Sequence, residues 1–231
     1  MAAPRRRRRP TDAEREEWSN SEYPVVRNVR LELEDAALFA GRCGLQLHSV
    51  DIPEGFLARL PELTNLDLVY MPWTDVDLLA ECPGLRELWL GNMRRVTSLD
   101  GLRHLGLLRF LGIRGLSSLE ELPSFATLQS LLLLDMASLK RLTSLLSVFD
   151  APALRALFLM GVVPMTMEAA RLANQHPSLR EFTWWSEGVP ERVAAPVIDA
   201  VHLPLMTGTT HHGWLAAQPE VLPREEPEAR P

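Results

Sequence analysis

The chain has 231 residues, 46% of them hydrophobic and 23% charged, a balance that excludes wholesale disorder, a collagen-like rod and a membrane channel. A net charge of −6 and a pI near 5.6 lack the basic excess that general nucleic-acid binding requires, so no nucleic-acid partner is expected. The anomaly is leucine: 42 in all, of which 30 fall between Leu60 and Leu159.

Residues 1–24 carry the run Arg5 to Arg9 and then the charged stretch Asp12 to Glu17. No apolar segment follows the arginines, so no export signal is read there. Contact of five arginines with an anionic surface would be weak and salt-sensitive, and the segment is expected to be a disordered, solvated arm. Lys140 is the sole lysine, an arginine bias that fits codon usage in a GC-rich genome. Across residues 25–41, Val29, Leu31 and Leu33 alternate as a strand would, and Asp35 to Phe39 suit a short helix; this is the predicted N-terminal cap.

From residue 42 to 188 one pattern repeats. Leu-x-x-Leu-x-Leu occurs as Leu63-Leu66-Leu68, Leu85-Leu88-Leu90, Leu108-Leu111-Ile113, Leu131-Leu134-Met136 and Leu154-Leu157-Leu159. A sixth copy is Leu179-Phe182-Trp184, and a degenerate earlier one keeps Leu45 and Leu47. Successive first positions are 22, 23, 23, 23 and 25 residues apart, and Pro61, Pro83, Pro152 and Pro177 each precede a copy by two residues. Alternating residues of a strand face opposite sides, so positions four and six of each motif bury together, and stacked copies build the core that one copy cannot. Between the second and fourth copies the apolar spacing is three, as in Leu116, Leu119, Leu122, Phe125 and Leu128, which suits extended turns or 3₁₀ pieces. True helices are predicted after Leu68, where Thr74-x-x-Asp77 resembles a capping box, and after Leu159, where Thr166 can cap residues 167–175.

Motif and period together resemble the leucine-rich repeat family over residues 42–188. The ninth position holds Met71, Met93, Leu116, Leu139 and Val162 rather than asparagine, and one copy opens Cys82-Pro83-Gly84-Leu85. Both features are similar to the cysteine-containing and plant immune-receptor variants. No F-box or nucleotide-binding domain accompanies the repeats, so the resemblance implies a fold and not those families' biology. That fold is α/β: a right-handed solenoid of six to seven coils, with a parallel β-sheet on the concave face and mixed short helices and irregular turns on the convex face. Residues 189–206 are expected to cap the last coil and residues 207–231 to form a flexible tail.

Residues beside the core leucines face outward on the strand surface. Tyr70, Trp89, Phe110, Phe158 and Trp185, with Leu132, Leu133 and Met160, make an aromatic, apolar patch of the kind that binds another protein. Coverage of that patch by loops or the tail is the competing reading. Arg86, Arg109, Arg155 and Arg180 recur at position two, either as a recognition column for an acidic partner or as an edge neutralised by Glu87, Glu181, Asp67 and Asp135. No metal or other cofactor is expected, since His211-His212 has only His202 near it in sequence. Two cysteines, Cys43 and Cys82, are too few for a disulfide scaffold and favour the reducing cytoplasm. No run of 18 apolar residues exists, so no membrane span is expected. With no Walker loop, Gly-x-Ser-x-Gly elbow or His-Glu-x-x-His helix, the expected function is non-enzymatic recognition of a protein, as adaptor or inhibitor. The alternatives are an enzyme of unrecognised type and a homodimer closed through the same face.

Overall fold

Every Leu-x-x-Leu-x-Leu copy forms one strand. A computed structural model describes residues 7–206 and 211–218. In chain order the strands are β1 (Val25–Arg27), β2 (Gly44–His48), β3 (Asn65–Val69), β4 (Glu87–Gly91), β5 (Phe110–Arg114), β6 (Leu133–Ala137), β7 (Ala156–Met160) and β8 (Glu181–Trp185). They form a single parallel sheet in sequential order. The register is constant: Leu66, Leu88, Leu111, Leu134, Leu157 and Phe182 stand side by side, as do Leu68, Leu90, Ile113, Met136, Leu159 and Trp184. These inward rows are buried throughout. Each such leucine contributes roughly 1.5–3 kcal/mol relative to an exposed one, so the repeat is also the main stabilising device. The architecture is a leucine-rich repeat solenoid.

The chain leaves β1 to β7 through the same turn. Asn28, Ser49, Tyr70, Asn92, Gly115, Ser138 and Gly161 each follow a strand directly, and all have φ between 53° and 68°. Each donates its backbone N–H to the last carbonyl of the next strand, as in Tyr70 to Gly91 (2.9 Å) and Gly161 to Trp185 (2.7 Å). Left-handed backbone at this point lets the chain leave the sheet while the ladder gains one more rung.

On the convex side lie the 3₁₀ turns Leu33–Phe39, Leu57–Arg59, Asp77–Glu81, Asp100–His104 and Leu146–Asp150, with irregular turns between β5 and β6. The helix expected after Leu68 is therefore only a 3₁₀ turn. The Thr74 hydroxyl donates to Asp75 (3.1 Å) instead of capping, and a 22-residue coil leaves too little chain to nucleate an α-helix. The 25-residue spacing before the last copy does leave room. There α2 (Met167–Gln175) forms, with the Thr166 side chain accepting from the Ala169 N–H at 3.2 Å.

Both ends depart from expectation. The segment read as a disordered arm contains a helix, here α1 (Asp12–Asn20). Thr11 and Glu14 close a reciprocal capping box, and Trp18 is buried against Phe39 with ring centroids 6.0 Å apart. Arg7 pairs with Asp51, Arg15 with the buried Asp35, and Arg8 with Glu14 (2.5 Å), so these arginines fasten the end rather than extend into solvent. Arg5 and Arg6 lie outside the described residues. At the other end α3 (Glu191–Asp199) packs on the last coil, and the Phe182 N–H donates to Pro204 O (2.9 Å), covering part of the β8 edge.

The tail also contributes structure. Residues His211–Ala216 form α4, which lies on the concave face with Trp214 and Leu215 buried against Phe110, Leu132, Leu133 and Ala156. Of the remaining tail, 207–210 and 219–231 lie outside the described residues. No described helix is long and apolar enough to cross a membrane.

Candidate functional site: a cleft on the concave face

Side chains at motif positions three, five and seven point away from the core. With α4 and Tyr23 as walls, they enclose an open cleft of about 820 Å³. Its middle is built around Trp89. The indole lies flat across β4 and β5 because position five of β5 is Gly112, where a Cβ would overlap the Trp89 ring. Arg114 sits over that ring at 5.0 Å and makes a two-pronged ion pair with Asp135, at 2.7 and 3.2 Å. Burial raises the Asp135 carboxyl above its ordinary value, and the Arg114 guanidinium works against that rise. On the other side Phe110 stacks 6.1 Å from Trp89 and 4.3 Å from His211.

The two ends differ in chemistry. Towards β2 and β3 the lining is Tyr23, His48, Asp67, Glu87 and His212. His212 Nδ1 stands 3.0 Å from Glu87 Oε2. Burial pushes the Asp67 carboxyl up to about 6; the neighbouring His212 opposes this and Glu87 adds to it. Burial also takes His211 down to about 4, helped by His212 and Arg114, so its imidazole is neutral at pH 7. Tyr23 lies over Gly44, another glycine whose Cβ would collide with a ring, and burial beside Asp67 and Glu87 raises its phenol. Towards β7 and β8 the lining is mainly apolar, with Phe158, Met160, Trp185, Leu205 and Met206 around Thr183, whose hydroxyl accepts from the Met206 N–H at 3.0 Å. Phe158 and Trp185 meet edge to face at 5.0 Å, and Trp185 is 60% exposed.

Of the residues singled out in the sequence, Trp89, Phe110, Phe158 and Trp185 line this cleft together. Phe110 is only 2% exposed, however, because Trp214 and Leu215 cover it along with Leu132 and Leu133. Tyr70 is not in the cleft; it occupies the turn after β3 and is 55% exposed. None of Arg86, Arg109, Arg155 and Arg180 lines the cleft. They stand where the chain enters each strand, and their N–H groups extend the ladder, as in Arg109 to Arg86 O (2.7 Å) and Arg180 to Arg155 O (2.8 Å). The Arg155 side chain donates to Gln218 (3.1 Å), and that of Arg180 to the carbonyls of Leu179 and Pro177.

Three cleft residues escaped sequence reasoning, Tyr23, Arg114 and Trp214, whereas the His211-His212 pair is visible in the sequence but does not read as a ligand set there, because only His202 lies near it. Arg114 had a signal, since position seven alternates outward with position five. Trp214-Leu215 had a weaker one, as an apolar pair in a polar tail. The cysteines are far apart in character: Cys43 is exposed, whereas Cys82 is buried and burial pushes its thiol up to about 12. His176 is held by Ala151 O at Nε2 (3.0 Å) and by the N–H groups of Ser178 and Leu179 at Nδ1, which is a packing role.

No protein-family model and no curated protein matches the sequence. Among solved structures, the chain is similar to internalin C2 of Listeria monocytogenes, with 18% identity over 74% of this chain and 83% of that one, at a TM-score of 0.43. It is also similar to a second internalin (inlF) of that organism, with 16% identity over 74% of this chain and 62% of the other, at a TM-score of 0.40.

Proposed function

We propose that the chain is a non-enzymatic recognition module, an adaptor or inhibitor, that holds an apolar side chain of a partner protein at the β7–β8 end of the concave cleft. The observation that carries this reading is the exposed Trp185 set edge to face against Phe158, with Leu205 beside them at 70% exposure. Large aromatics in a recess supply most hot spots, and a solvated Trp in the mouth of a cleft is available for that role. The cleft is open rather than a closed pocket, and Asp135 inside it is engaged by Arg114, which supports a binding reading over a catalytic one. Two free cysteines in a chain of this size support a reducing, cytoplasmic setting.

The test is capture from lysate with the wild type and with Trp185→Ala, followed by affinity measurement on the purified partner and light scattering on both forms. Trp185→Ala is expected to weaken the partner by about 2 kcal/mol or more, roughly 30-fold. Equal affinity would move the interface off this end of the cleft. A wild-type dimer that the substitution dissolves would assign Trp185 to self-association instead.

A further inference from the structure

At the opposite end of the cleft, the geometry points to a transition-metal site of the zinc class formed by Glu87, His211 and His212, in which the ion fastens α4 to the sheet. The ligand atoms of these three side chains all lie within 4.8 Å of one another. His212 Nδ1 and Glu87 Oε2 are already 3.0 Å apart, and the two imidazole rings lie 3.9 Å apart between centroids. His211 is stacked on Phe110 and Trp89, and His212 faces Glu87, so the two nitrogen donors and the carboxylate are held close enough for one cation to be shared by all three.

Two nitrogen donors and one carboxylate select zinc-class ions over magnesium or calcium, which take oxygen ligands. Three protein ligands leave a fourth position, and the His212 side chain, 65% exposed, places it towards solvent. The ligands are held from outside. His211 stacks on Phe110 at 4.3 Å, and the Trp214 indole N–H donates to Glu181 (3.0 Å), which sets α4 against the sheet. Asp67, one strand away, adds negative potential. The third ligand is invisible in sequence because β4 supplies it to a pair of histidines near the C-terminus.

The site is independent of the recognition reading, and its test uses the metal alone. Zinc chloride is titrated into the full chain by calorimetry in a Cys43→Ser background, which removes the exposed thiol, with magnesium as the hard-cation control. One zinc per chain is expected, with no magnesium binding. Glu87→Gln keeps the shape of the side chain and is expected to weaken zinc at least tenfold, as is His212→Ala. Circular dichroism confirms that the variants stay folded. Amide exchange across residues 211–218 should slow on adding zinc to the wild type and not to Glu87→Gln. Absence of stoichiometric zinc binding below 100 micromolar, or equal affinity in Glu87→Gln, would overturn the site; the latter would assign binding to the histidine pair alone.

Discussion

Single residues settle what the repeat can tolerate. The turn after each strand needs φ near +55°, and most coils meet this with Gly, Asn or Ser. Tyr70 is the exception, and left-handed backbone costs a bulky residue roughly 1–2 kcal/mol. Tyr70→Asn, the residue found at the equivalent Asn28 and Asn92, is therefore expected to stabilise the chain by about 1 kcal/mol in urea denaturation. A lower midpoint would show that contacts of the phenol outweigh the strain. Gly112 works the other way, through absence of a side chain. It was legible as an outward position but not as the bed of Trp89, because that depends on which way an indole on the neighbouring strand lies down.

At the scale of elements, close coil stacking leaves no slack. A Cβ on Gly101 would overlap the backbone carbonyl of Val76 in the preceding coil, where the two 3₁₀ turns pack. Gly101→Ala is accordingly expected to cost about 1–3 kcal/mol by overpacking, measured by thermal or urea unfolding. The helix α1 offers a pH test. The Arg8 side-chain bond and the Thr11 backbone bond hold the Glu14 carboxyl down at about 2, from an ordinary value of 4.5. A depressed acid stabilises the folded form above its unfolded value, and that contribution is lost as pH falls through the folded one. Protection of the amides over residues 12–20, taken relative to the intrinsic exchange rate at each pH, should thus fall between about pH 4.5 and 2, ahead of the central coils. Exchange that tracks the central coils at every pH would mean that the capping box is not what secures α1. The charged run was read as solvent-facing from composition, yet one buried tryptophan, Trp18, and a few ion pairs were enough to dock it.

For the whole molecule the decisive feature is α4 across the middle of the concave face. Trp→Ala at a buried site costs about 3–5 kcal/mol, so Trp214→Ala is expected to release α4 while the solenoid keeps its own core. The expected signature is fast amide exchange over 211–218 and gain of dye binding to newly exposed Phe110, Leu132 and Leu133, with the main unfolding transition little changed. A large fall in that transition would mean that α4 is part of the cooperative core. With α4 in place, the cleft is divided into an apolar end at Phe158 and Trp185 and a carboxylate–histidine end at Glu87 and His212.

The period of leucines determined the solenoid, its parallel sheet, the register and the inward rows, because each coil repeats one short-range pattern and buries it against neighbours that carry the same pattern. Alternation likewise determined that Trp89, Phe158 and Trp185 face outward. Tertiary structure alone decided which outward residues share a cleft. It moved Tyr70 into a turn and the position-two arginines to the strand entries, and it brought His211 and His212 to Glu87. Those outcomes turn on contacts between segments with no common period, where a single buried tryptophan and one carboxylate outweigh the polar composition of a tail.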